Sequence, residues 1–137
     1  MAIKTEQEIE RDFYMMLVES DLGLALRGKV YRDEMRPADA KTEDLVVKYL
    51  AGVDDQIQEG VMLCHIYVPD LTQKGGRKVK NFERIASLQS LARQLFDKSV
   101  NPSEYRLSTD GSMKTIPVDG IDQHMIILRL RYRRISD

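Results

Sequence analysis

The chain has 137 residues, of which 42% are hydrophobic and 31% charged, with a formal net charge of −1 at pH 7. This length fits one domain that can bury its own core, so we expect a single domain over residues 1–137. The overall charge does not select nucleic acid or a membrane as partner, so any basic surface must be local. The single cysteine excludes an internal disulfide framework.

The N-terminus lacks the apolar core of a signal peptide, and no segment has the ~20 apolar residues that a membrane-spanning helix needs. We therefore expect a protein made in the cytoplasm that stays there or is built into a particle there.

The first predicted element is a helix. Thr5 and Glu8 have the spacing of a capping box, in which each side chain satisfies a backbone N–H at the helix start. Apolar residues then recur on one helical face. They are Ile9, Phe13, Met16 and Leu17.

Three strand candidates follow. Residues 29–37 form a weak one, residues 44–51 a stronger one, and residues 56–68 a long one. The long segment is apolar on both faces, which indicates a central strand or one covered on its second face. Cys64 is predicted as a small core residue and His65 as a structural side chain rather than a metal ligand.

Residues 70–81 contain two glycines and four basic side chains without periodicity, which predicts a mobile basic loop. The basic side chains are Lys74, Arg77, Lys78 and Lys80. Asn81 can cap a second helix, whose apolar stripe consists of Phe82, Ile85, Leu88, Ala92, Leu95 and Phe96.

The C-terminal third is predicted as strands. A short hairpin is expected around Asp110–Gly111, with a second turn at Asp119–Gly120. The segment 124–135 alternates, so its odd and even positions face opposite sides. Leu128, Leu130 and Tyr132 should point into the core. Arg129, Arg131 and Arg133, here called the arginine row, should point away.

Together these elements predict an α+β fold: a four- to five-stranded, mainly antiparallel sheet with two amphipathic helices packed on one face. The other sheet face then carries the arginine row and several apolar side chains. A monomer does not normally leave such a face open.

The sequence shows no catalytic pattern, and we expect no enzyme, metal or cofactor site. Two histidines and one cysteine do not make a usual zinc site. The glycine-rich stretch at 73–78 lacks the spacing of a P-loop. Carboxylates at 32–34 and 43–45 suggest a metal-dependent nuclease as a weak alternative, without a recognisable basic partner.

The basic residues leave three interpretations open. With the loop and Arg134, the arginine row could contact phosphates, although no aromatic side chain interleaves with the arginines for base stacking. It could be a solvated row that protects an edge strand. The arginine row and the basic loop residues Lys74, Arg77, Lys78 and Lys80 could also belong to a subunit or partner interface, where arginine is enriched.

Several sequence segments resemble those of bacteriophage tail-terminator, or tail-completion, proteins and related head–tail joining components. They are EDLVVKYL, QIQEGVMLCHIYVPD, NFERIASLQSLARQLF and the closing alternating strand, with Arg36-Pro37 shortly before the first. The resemblance spans roughly residues 5–135.

The resemblance implies a non-enzymatic α+β subunit that forms a homo-oligomeric ring, typically a hexamer. Such a ring caps the tail tube, contacts tube and head-connector proteins, and lets DNA pass without gripping it. The protein would then be a virion component assembled in the bacterial cytoplasm. Because a basic lumen would hold DNA, the arginine row should face a neighbouring subunit or the tube. A loop such as 70–81 would become ordered on assembly.

The alternative function is a small nucleic-acid-binding module that uses the basic loop and the C-terminal strand.

Overall fold

The computed structural model describes residues 3–96 and 104–135, which form one mixed α+β unit. Its helices are α1 (Glu6–Glu19), α2 (Asp21–Ala25) and α3 (Phe82–Arg93), and α3 continues into a single 3-10 turn at Gln94–Phe96.

Eight strands accompany the helices. They are β1 (Val30–Arg32), β2 (Asp44–Val53), β3 (Ile57–Pro69), β4 (Leu71–Thr72), β5 (Lys78–Val79), β6 (Tyr105–Thr109), β7 (Lys114–Pro117) and β8 (Gln123–Ile135). Six of them form one sheet in the order β1-β2-β3-β8-β6, with β7 also paired to β8; β4 and β5 pair with each other. The sheet centre is the long antiparallel pair β3–β8, which runs from Ile57 opposite Ile135 to Pro69 opposite Gln123.

The predicted fold class is confirmed at the level of an α+β protein, with corrections in detail. The sheet has six strands rather than four or five, and a short third helix, α2, follows α1. Strand β1 runs parallel to β2, because residues 33–43 cross back over the end of the sheet instead of forming a hairpin turn.

The helices pack on one face of the sheet, here called the inner face. The Phe13 ring of α1 meets Tyr105 and Tyr132 edge to face, with centroids 5.1 and 5.8 Å apart. Leu128, Leu130 and Tyr132 are buried there, and the arginine row points the opposite way, so the predicted alternation of β8 is confirmed. The opposite side of the sheet is called the outer face.

Helix α3 follows its predicted stripe with one exception. The side chain of Asn81 caps the helix by accepting from the N–H of Arg84, and four positions of the stripe are buried: Ile85, Leu88, Ala92 and Leu95. Phe82 was predicted in this stripe but is 71% exposed. It occupies the first turn, where the chain enters from the β4–β5 hairpin, and its ring lies 4.9 Å from the Lys80 ammonium.

Helix α1 starts at the predicted capping box. The Thr5 hydroxyl accepts from the N–H of Glu8 at 3.1 Å, and the Glu8 carboxylate accepts from the N–H of Thr5 at 2.9 Å. Thr5→Ala removes the first bond and is expected to lower the free energy of unfolding by about 1 kcal/mol. Urea denaturation measures this change. Thr5→Ser keeps the acceptor and should match the native chain; equal losses in both variants would contradict the capping role.

Candidate interaction surface

The outer face of the sheet has an apolar centre. Alternate residues of β2, β3 and β8 point there and keep part of their surface accessible. The apolar ones are Val46, Val61, Leu63, Tyr67, Met125 and Ile127. Within the described residues the large core cluster, and with it the buried faces of the helices, lies on the inner side. The outer face is therefore the surface that remains for a partner.

The arginine row lines one side of this apolar centre. The side chains of Arg129, Arg131 and Arg133 are 47%, 57% and 58% exposed. Arg129 and Arg131 share the carboxylate of Asp110, at 2.9 and 2.8 Å, and these two guanidinium groups, Arg131 first, hold the pKa of Asp110 below its usual range. Arg133 meets Glu59 at 3.2 Å. Each arginine thus combines an internal ion pair with free surface.

Asp110 reaches the arginines because of an unexpected strand arrangement. Strands β6 and β7 do not form the predicted hairpin around Asp110–Gly111. Both pair antiparallel with β8, one after the other along the same edge, with the chain looping out between them. The N–H of Asp110 donates to the carbonyl of Arg129 where β6 ends. The predicted turn at Asp119–Gly120 does connect β7 to β8.

Arg134 does not belong to the exposed basic surface. Its side chain is fully buried on the inner side, where it donates to the Glu104 carboxylate and, at 2.9 Å, to the amide oxygen of Gln58. The sequence interpretation grouped Arg134 with the phosphate-contacting candidates; this grouping is wrong, because strand alternation gives Arg134 the same side as Tyr132.

A side chain that the sequence did not single out closes one end of the outer face. Arg36 lies over the Tyr67 ring, 3.9 Å from its centroid, and donates to Asp44 at 2.9 Å. It also donates to the carbonyls of Ala40 and Thr42, which fixes the crossing segment against the sheet. The only sequence signal was Arg36-Pro37 itself, because two partners of Arg36 are backbone carbonyls and two others, the Tyr67 ring and the Gln123 amide, lie far along the chain.

Of the carboxylates considered for a nuclease, those of Glu43 and Asp44 have structural partners. Glu43 binds the guanidinium of Arg84 at 2.7 Å and is almost fully buried. Asp44 accepts from Arg36, from the hydroxyl of Thr42 and from the N–H of Lys29. Both groups tie loops to the sheet.

The predicted basic loop at 70–81 contains a short hairpin. Leu71 and Thr72 of β4 pair with Lys78 and Val79 of β5, and the N–H of Gln73 donates to the carbonyl of Arg77. The four basic side chains therefore sit on or beside a two-stranded ribbon: Lys74, Arg77, Lys78 and Lys80. Its mobility stays a prediction.

The structure does not bring the hairpin and the arginine row together. The hairpin follows Pro69, whereas Arg129, the nearest member of the arginine row, pairs with Leu63, six residues back along β3 and therefore ~20 Å from Pro69. A single phosphate-binding stripe that joins the two basic features is therefore not formed.

Cys64 and His65 occupy opposite faces of β3. Cys64 is fully buried, and burial raises the pKa of its thiol to about 12, which suits the predicted core role. His65 lies on the outer face between Val46 and Ile127. Burial and then the Lys48 ammonium lower the pKa of His65, which disfavours the charged form of the ring.

No protein-family model matches the sequence, and a comparison with curated proteins finds no significant match. Among the described residues, no group of three or more His, Cys, Asp or Glu side chains is placed to hold a metal ion. None of the helices described is long and apolar enough to cross a membrane.

Proposed function

We propose that this chain is a structural subunit of the bacteriophage tail-terminator or head–tail joining type, which assembles through the outer face of its sheet into a homo-oligomeric ring. The observation that carries the proposal is the outer face itself, with its apolar centre and the arginine row beside it. The resemblance of residues 5–135 to such proteins supplies the biological setting.

The composition of the outer face supports an interface. Interface centres are enriched in aromatic residues, methionine and arginine and depleted in lysine and glutamate. The outer face carries Met125 and Tyr67, whose ring lies under Arg36, toward one end of the strands and the arginine row toward the other. Arginine suits such a position because its planar guanidinium can bind one carboxylate within the subunit and another on a partner.

The charge distribution also favours a protein partner over nucleic acid. Asp110 and Glu59 meet the three guanidinium groups of the arginine row and so lower the local positive potential. The separation of the hairpin from the arginine row weakens the nucleic-acid-binding alternative further. In the ring, the arginine row would face a neighbouring subunit or the tube and leave the lumen to passing DNA.

A single substitution on the outer face tests the proposal. Strand register places Leu63 between Lys48 and Arg129, so a glutamate there has cations on both sides and should be tolerated by the isolated subunit. Leu63→Glu is expected to abolish assembly, because it puts a charge into the apolar centre of the contact. Light scattering at micromolar to millimolar concentration measures the mass, and electron microscopy shows whether rings form.

The matched control is Leu24→Glu, the same change at a residue of α2 that is 73% exposed. It should assemble like the native chain. A native protein that remains at the 15.8 kDa monomer mass at low and moderate salt, and also when mixed with purified tail tubes, would refute the ring. The nucleic-acid alternative would be favoured instead if the protein shifts the mobility of labelled DNA, if the shift is lost at higher salt, and if it requires the arginine row.

A further inference from the structure

An acidic cleft lies at the opposite edge of the sheet from the arginine row. It is a depression of about 400 Å³ between the first half of α1 and the end of β1. Four carboxylates line it: Glu6, Glu10, Asp33 and Glu34. The one cation that lines it, Arg32, binds Glu10 at 2.9 Å and the carbonyl of Gln7. Among the described residues, Glu6, Asp33 and Glu34 form no salt bridge.

The acidic cleft also lies beside an open strand. Strand β1 is three residues long, pairs with β2 on one side only, and ends the sheet. Met35, which borders the cleft, is 67% exposed. The cleft therefore combines net negative charge with accessible apolar and backbone surface, which is the complement of the arginine row.

Within the described residues, the arginine row has fewer carboxylate partners than guanidinium groups. Its three guanidinium groups share the carboxylates of Asp110 and Glu59. Each of these guanidinium groups keeps exposed surface on which it could also bind a carboxylate of another molecule.

The two surfaces cannot meet within one molecule. Strands β2 and β3 separate β1 from β8, which puts the acidic cleft ~14 Å or more from the arginine row across the sheet. A contact between two different surfaces of identical subunits is heterologous, and such a contact closes into a ring when the rotation between neighbours permits.

We propose that the arginine row of one copy docks into the acidic cleft of the next copy. The partner is a second copy of this chain, and the contact is head to tail. This inference rests on the proposed ring and specifies which surfaces join neighbouring subunits. It also predicts that assembly weakens as salt rises, because exposed ion pairs are screened.

Paired charge reversals test the contact. The first variant carries Arg131→Glu and Arg133→Glu; the second carries Asp33→Lys and Glu34→Lys. Each alone sets like charges against each other at every contact and should raise the dissociation constant of assembly ~100-fold. An equimolar mixture should assemble again, because each variant then finds an opposite charge on the other and the two alternate around the ring.

A third variant controls for net charge. Glu19→Lys with Glu83→Lys makes the same charge change as the cleft variant at exposed helix positions away from both surfaces. It should assemble like the native chain. Circular dichroism and urea unfolding verify that each variant folds, and light scattering at low salt gives the mass.

The outcomes separate this inference from the proposed function. If the native chain assembles and the reversals do not alter its mass, the head-to-tail contact is wrong and the ring stands. If each reversal prevents assembly but the mixture does not restore it, the two surfaces do not meet each other, and the contact is again wrong. If the native chain never assembles, both proposals fail.

Discussion

Replacing Arg134 by methionine is expected to lower the free energy of unfolding by about 3 kcal/mol. Arg134 is fully buried and joins Glu104, before β6, to Gln58 of β3. Glu104 also meets Lys4 at 2.8 Å, and Lys4 in turn meets Asp12 of α1 at 2.6 Å. Methionine retains the apolar stem but removes the centre of a network that connects the N-terminal segment, α1 and the sheet.

Arg133→Met is the matched control, because it makes the same change one residue earlier on the opposite face of β8. The Arg133 side chain is 58% exposed and its ion pair with Glu59 is equally exposed, so the loss should stay within about 0.5 kcal/mol. Urea unfolding of the two variants gives the comparison. Equal effects would show that the buried network does not stabilise the fold.

Replacing Asp44 by asparagine is expected to lower the free energy of unfolding by about 3 kcal/mol at pH 7. The buried carboxylate accepts three hydrogen bonds, from the Thr42 hydroxyl at 2.6 Å, the N–H of Lys29 at 2.8 Å and Arg36 at 2.9 Å. An asparagine amide has one acceptor oxygen, and its NH₂ would face donors. The substitution also leaves the largely buried Arg36 without its counter-ion.

The effect of this substitution should depend on pH. Burial opposes ionisation of Asp44, but the hydrogen bonds from Thr42, Lys29 and Arg36 outweigh it and hold the pKa of Asp44 below its usual value. A carboxyl whose pKa is lower in the folded state stabilises the fold above its unfolded pKa, about 3.9 for aspartate, and loses this contribution as the pH falls through the folded value.

The difference in the free energy of unfolding between the native chain and Asp44→Asn should therefore have its full size near pH 7 and become smaller below about pH 4. Chemical unfolding at several pH values measures it. Asp39→Asn, an exposed change in the same crossing segment, should leave the unfolding midpoint at pH 7 unchanged. A difference that stays constant down to pH 2 would contradict the ionised role of Asp44.

Some features follow from the sequence because their causes are local. The capping box at Thr5 and Glu8, the helical stripe of α3 and the alternation of β8 depend on residues within one or two turns or on strict neighbours. The alternation of β8 also predicted that the arginine row lies on the face away from the core. Once two amphipathic helices were assigned to one face, the sequence also predicted an outer face without a covering helix, and no described helix packs there.

Other features depended on partners far along the chain. Strand β1 runs parallel to β2, and Arg36 binds the crossing segment between them to Asp44 and to Tyr67, 31 positions away in the numbering. The hairpin expected at Asp110–Gly111 is replaced by two strands on one edge of β8. Turn residues mark where a chain bends, not which strand each side then pairs with.

The sequence by itself determined the α+β class, the main elements and the alternation of β8 from Leu128 to Arg133, since periodicity and capping are properties of neighbouring residues. Only the tertiary structure decided that Arg134 is a buried ion-pair centre while Arg129, Arg131 and Arg133 share acidic partners at the surface. It also decided that the acidic cleft lies across the sheet from them. The reason is that ion pairs and sheet edges are set by strand order, which residues distant in sequence determine together.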